Sequence, residues 1–251
     1  MLLTSGCSFV WGDELEGYDT DPPSHKHLTF THLLAEKLDM PYVNLATCGG
    51  CNQKIFRDIM HYLNDPNTED PTHMVVIWSA WQREEVAENH SDEYESQIKV
   101  ERFQCMTQIS PARVNNLKPE LRKPLDDLYE HYDATRTGII RTLANMEALE
   151  VICKAKGIKL IQGIFHELML RNLLDKMHKR NRNTGWTPWL KWVEETIARL
   201  PDASRVGLGR YEDLYSVGKR YKIKPYGHPG EEAQVDYADL LHHIFRTQWE
   251  D

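Results

Sequence analysis

Residues 74–78 read Met-Val-Val-Ile-Trp, apolar at every position and β-branched at the three central ones. A strand with one wet face alternates polar and apolar residues, so a run apolar on both faces belongs in the middle of a sheet covered on both sides. Similar short runs recur at 2–4, 42–46 and 158–165, and stretches of helical spacing lie between them. Those stretches are 28–38, the segment after Asn52 with Ile55, Phe56, Ile59, Met60 and Leu63 on one face, and 126–156. Three more follow at 167–178, 188–200 and 230–249. Strands alternating with helices predict an α/β fold of three layers, α/β/α. Its flavodoxin-like, mainly parallel sheet has about five strands, with helices on both faces.

The 251 residues suit a single large domain spanning 1–251. Within it, the polar, acidic stretch 83–125 reads as an insertion or lid, and 166–200 as an additional helical pair. The net charge of −8 argues against general nucleic-acid binding, which needs clustered positive charge. The basic run at 176–182, followed by Trp186, Trp189 and Trp192, reads as a flexible loop leading into a core-packed helix. No apolar run approaches the roughly 20 residues that a membrane span needs, and the first residues lack the basic and apolar regions of a signal peptide. Neither nucleic acid nor membrane is therefore an expected partner, and a cytoplasmic setting is the expected one. Five cysteines, an odd number, exclude a complete disulfide framework.

Parallel sheets bind ligands beyond the carboxyl ends of their strands, so the segments after each strand carry the chemistry. They read Ser5-Gly6-Cys7-Ser8-Phe9-Val10-Trp11-Gly12, then Cys48-Gly49-Gly50-Cys51-Asn52, then Ser79-Ala80-Trp81-Gln82-Arg83; Gly227-His228-Pro229 precedes the last helix. A serine nucleophile, a histidine base and backbone N–H groups in tight glycine turns are the parts of an acyl-transfer site.

In this order the four blocks resemble the SGNH, or GDSL, hydrolase superfamily. The resemblance puts Ser8 at the nucleophile position within Gly6-Cys7-Ser8, with Gly12 four residues on. It matches Asn44-Leu45-Ala46-Thr47-Cys48-Gly49 to the second block, with Gly49 or Gly50 facing the oxyanion. It also places His228, followed by Pro229, ahead of the final helix. Trp78-Ser79-Ala80-Trp81-Gln82-Arg83 is similar to a pattern in uncharacterised bacteriophage members. The implied activity is hydrolysis of an acyl or acetyl ester, on a small molecule or an acylated saccharide, with no metal or organic cofactor. Trp11, Trp78 and Arg83 stand at the same rim as candidate substrate contacts.

The chain departs from the family's pattern in three places. Cys7 replaces an Asp that is not the catalytic acid. Ser79-Ala80 stands where an Asn donor is usual, which leaves Ser79 or Asn52 to supply the oxyanion contact. The positions two and three before the histidine are Tyr226 and Pro225, so no carboxylate is there to orient it. A Ser–His dyad, an acid borrowed from Asp13 or Glu167, or a non-catalytic binding or virion-associated module follows from that gap. A further alternative uses Cys7, Cys48 and Cys51 with His228 as a zinc or redox site.

Overall fold

The computed structural model describes residues 1–17, 19–20, 24–81, 83–87, 106–109, 134–165, 187–221, 224 and 228–250. In chain order the elements are β1 (Leu2–Gly6), α1 (Ser8–Trp11), α2 (Phe30–Lys37), β2 (Tyr42–Asn44), α3 (Asn52–Asn64) and β3 (His73–Trp78). They continue with β4 (Glu84–Ala87), β5 (Met106–Ile109), α4 (Ala134–Lys156), β6 (Lys159–Ile164), α5 (Thr187–Arg199), α6 (Leu214–Gly218) and α7 (Glu231–Trp249).

The main sheet has the order β2-β1-β3-β6, every pair parallel. This is the expected α/β class with four strands instead of about five. The fifth place is taken by one residue: Val206 bridges Gly163 in parallel and then Tyr211, because the chain turns back before a strand can grow. The segment 83–125 contributes Arg83, β4 and β5, the last two a separate antiparallel pair, and its remaining residues lie outside those described. So does the first helix expected at 167–178.

Alternation along the buried strands divides the core in two. Leu3, Met74, Val76, Trp78, Leu160 and Ile164 face α3, α4 and α5. Leu2, Val75, Ile77 and Ile161 face α1, α2, α6 and α7. Each fully buried Leu, Ile or Val contributes about 1.5–3 kcal/mol, so both faces are firmly anchored. The loops at the carboxyl ends of β1, β2 and β3 are thereby held side by side.

Candidate active site

The chain enters the site at the end of β1. A Cβ on Gly6 would lie 2.3 Å from Val10 Cγ2, so only glycine lets α1 start this close to the strand. Ser8 opens this four-residue helix and is 5% exposed. Gly12, at φ +91°, closes it in the left-handed conformation that glycine adopts without strain. The N–H groups of Gly12 and Asp13 both donate to the Ser8 carbonyl at 3.0 Å. This closure turns the chain back, so that Asp13 and Glu14 return toward the serine that precedes them.

Glu14 holds a positive φ of 65°, uncommon for a side chain of its size. Leu15, 1% exposed, anchors the turn in the core. The Glu14 carboxylate then meets His228, 214 residues away in sequence. Oε2 lies 2.6 Å from His228 Nδ1 and also accepts the His228 backbone N–H at 3.2 Å. On its other edge, His228 Nε2 lies 2.9 Å from Ser8 Oγ. A carboxylate only accepts, so Nδ1 carries the proton and the Nε2 lone pair faces the serine hydroxyl. The Phe9 ring packs against the imidazole at 4.9 Å between centroids. Both partners are sheltered, with side chains 13% exposed for His228 and 7% for Glu14.

Glu14 is the carboxylate beside His228 that the sequence did not single out. Asp13, expected as a possible substitute, lies instead on the serine side, its Oδ2 3.7 Å from Nε2. Glu167, Tyr226 and Pro225 fall outside the described residues. The sequence signal was the acidic pair directly after Gly12; the backbone turn at Glu14 decides which member reaches Nδ1. The carboxylate on Nδ1 fills the gap left at Tyr226 and Pro225, while Ser79-Ala80 still stands where an Asn donor is usual.

The four expected oxyanion donors separate into two kinds. Gly50 N–H donates to the Thr47 carbonyl at 3.0 Å, and both Asn52 amide protons are committed, to the Ser79 carbonyl at 3.2 Å and Thr142 Oγ1 at 2.7 Å. Asn52 Oδ1 in turn accepts the Ser79 N–H at 2.6 Å. Asn52, the first residue of α3, is therefore a buried strut to the loop after β3 and to α4, not an oxyanion donor; Cys51 caps α3, its sulfur accepting Lys54 N–H. Gly49, at φ +79°, has an N–H with no hydrogen-bond partner among the described residues. The Ser79 hydroxyl, 1% exposed, accepts Arg83 Nη1 at 2.9 Å and keeps its own proton to donate.

The expected substrate contacts divide in the same way. Trp78 is fully buried and donates its indole N–H to Gln162 Oε1 at 3.0 Å, so it is a core residue. Arg83 spends Nη1 on the Gly50 carbonyl at 3.2 Å and on Ser79, which ties the second and third loops together. Trp11 is half-buried and lines a cleft of about 240 Å³ with His25, Lys26, Thr29, Tyr42, Asn44 and Ala46. The His25 ring packs against it at 4.3 Å between centroids, tilted by 49°, and donates Nε2–H to its carbonyl.

The cysteines do not assemble. Cys7 is buried, Cys51 caps α3, and the exposed Cys48 donates its S–H to Asp13 Oδ2 at 3.0 Å. Burial pushes the Cys153 thiol up to about 12, so it stays protonated. Among the described residues no three of the His, Cys, Asp and Glu side chains are grouped to hold a metal, and no helix is long and apolar enough to cross a membrane.

Among solved structures, the chain superposes on a carbohydrate esterase family 2 enzyme with its carbohydrate-binding domain, from Corynascus thermopiles (Myceliophthora fergusii). The TM-score is 0.50 at 12% identity, over 98% of this chain and 65% of that one. The chain shares that enzyme's fold. A psychrotrophic esterase from Pseudoalteromonas sp. matches at a TM-score of 0.48 and 12% identity, over 100% of this chain and 98% of that one. A member of the lipolytic protein G-D-S-L family from Veillonella parvula matches at 0.41 and 9% identity, over 99% and 97%. No family model matches the sequence, and no curated protein does.

Proposed function

We propose that this protein is an SGNH-type serine hydrolase that cleaves acyl or acetyl esters, with Ser8, His228 and Glu14 as its catalytic triad. The observation that carries this reading is the unbroken hydrogen-bonded chain Ser8 Oγ–His228 Nε2 and His228 Nδ1–Glu14 Oε2, at 2.9 and 2.6 Å. Ser8 Oγ attacks the ester carbonyl while Nε2 takes its proton, and Glu14 stabilises the imidazolium that forms. The same Nε2 then protonates the leaving alcohol. Water repeats the sequence on the acyl-enzyme and restores Ser8.

The negative charge on the carbonyl oxygen needs donors aimed at it. The Ser8 N–H, at the start of α1 where no intrahelical partner exists, and the Gly49 N–H supply two, with the Ser79 hydroxyl as a third. One such donor is worth about 10²–10³ in rate. The fold shared with a carbohydrate esterase supports an acylated saccharide as the substrate class, and Trp11, three residues after Ser8, offers an aromatic surface in the cleft it lines. If the resemblance of residues 78–83 to a pattern in bacteriophage proteins reflects the chain's origin, the setting would be the cytoplasm of a host cell. The test uses p-nitrophenyl acetate and a fluorophosphonate probe. The wild type should release p-nitrophenol and carry the probe on Ser8, and Ser8→Ala should do neither. A wild type that is unlabelled and no faster than Ser8→Ala sinks the proposal.

A further inference from the structure

We infer that Asp13 orients the water that deacylates Ser8, and so sets hydrolysis above acyl transfer to alcohols; the inference rests on the ester-hydrolase reading. Glu14 already satisfies Nδ1, so a second carboxylate at Nε2 is not needed to orient the ring. Yet Asp13 Oδ2 sits 3.7 Å from that atom, on the side where proton transfer takes place. Its position is fixed twice. The Asp13 N–H donates to the Ser8 carbonyl, and Cys48 Sγ donates to Oδ2 at 3.0 Å. An ionised carboxylate oxygen accepts more than one hydrogen bond, so Oδ2 retains capacity for another donor. The side chain is 20% exposed, which gives that donor access.

In the acyl-enzyme Ser8 Oγ is esterified and has no proton to offer. The Nε2 lone pair, freed once the leaving alcohol has taken its proton, turns to the incoming nucleophile. Two acceptors at this separation are close enough for one water to donate to both, at ordinary hydrogen-bond lengths of about 2.8 Å. One O–H then points at Nε2 and the other at Asp13, which fixes the oxygen lone pair toward the ester carbon. As the new C–O bond forms, Nε2 takes the first proton. It passes that proton to Ser8 Oγ as the Oγ–C bond breaks, and the free acid leaves. An alcohol has a single O–H. If it spends that proton on Nε2, its alkyl group lies against the Asp13 carboxylate, which loses a partner and part of its solvation. Sites that leave a buried polar group unpaired discriminate strongly against the ligand that does so.

The experiment supplies p-nitrophenyl acetate with increasing methanol and measures acetate and methyl acetate from the same reaction. The wild type should form mainly acetate. Asp13→Ala and Asp13→Asn should raise the methyl acetate to acetate ratio by about tenfold at equal methanol, because the alcohol no longer meets a carboxylate. They should also release a burst of p-nitrophenol, as deacylation becomes the slower step. Fluorophosphonate labelling of Ser8 in each variant reports that the site is assembled. If Asp13→Ala fails to label, the nearly isosteric Asn variant carries the test. A labelled variant with an unchanged ratio overturns the inference and leaves the triad reading standing. A wild type that transfers acetyl to methanol as readily, mole for mole, as to water overturns it without any variant. An unlabelled wild type overturns both.

Discussion

Two histidines stand at opposite ends of the same sheet. His73 opens β3 at the amino end, 8% exposed, its ring edge-on to Phe245 at 5.0 Å. Its Nδ1 meets only the Thr72 hydroxyl, and its Nε2 has no hydrogen-bond partner among the described residues. Burial, followed by the nearby Lys159 and the amino terminus, pushes its pKa from 6.5 to about 4. His228 stands at the carboxyl end with a carboxylate on one nitrogen and a hydroxyl on the other. Burial alone makes a histidine neutral and inert. What makes a base is a paired acid that fixes the tautomer and an acidic proton placed on the free nitrogen.

The sharpest way to break this contrast is to remove what His228 acts on. Ser8→Ala should lower ester hydrolysis by 10⁴ or more, on the order seen when a triad nucleophile is lost, measured as kcat/KM with p-nitrophenyl acetate. Glu14→Gln tests the acid. Its amide keeps the shape but no longer enforces the Nδ1–H tautomer, so kcat should fall by about 10³–10⁴ while the melting temperature moves little. An unchanged kcat would assign the acid's role elsewhere.

Smaller effects test which polar residues are scaffold. Asn52→Ala should destabilise the fold by about 2–4 kcal/mol, because it strands the Ser79 N–H and removes the tie to Thr142 in a buried setting; chemical denaturation reads this. The His73 contrast predicts a pH effect. Since the folded protein binds the His73 proton less tightly than the unfolded chain, stability is full above about pH 6.5 and declines toward pH 4. The loss is about 3 kcal/mol by pH 4, and His73→Phe should flatten that segment of the stability curve. Trp78→Phe, which shrinks a fully buried ring and leaves Gln162 Oε1 without its donor, should cost about 2 kcal/mol and leave KM for the ester unchanged.

The strands were legible because β1, β3 and β6 are short, apolar and punctuated by glycine or proline, and the two-faced burial of residues 74–78 fixed the parallel class. Ser8 and His228 were legible because their blocks come in a recognisable order, although 220 residues separate the two contacts. Glu14 was not, since Asp13 and Glu14 are chemically equivalent neighbours and only the left-handed turn at residue 14 separates their directions. Asn52 was misread for a different reason. Its donors looked available in sequence, but Thr142, which occupies one of them, lies 90 positions away in the chain.

On the proposed mechanism, the loop closed on the Ser8 carbonyl has a consequence for how activity would be lost. Ser8, Asp13 and Glu14 all lie within residues 8–14, tied together through the Ser8 carbonyl. Only the base arrives from afar, on the segment docked just ahead of α7. Catalysis therefore hinges on a single long-distance closure. Partial detachment of the carboxyl-terminal helix would withdraw His228 while residues 8–14 stayed on the sheet, so any esterase activity should vanish at a lower denaturant concentration than the sheet's own signal.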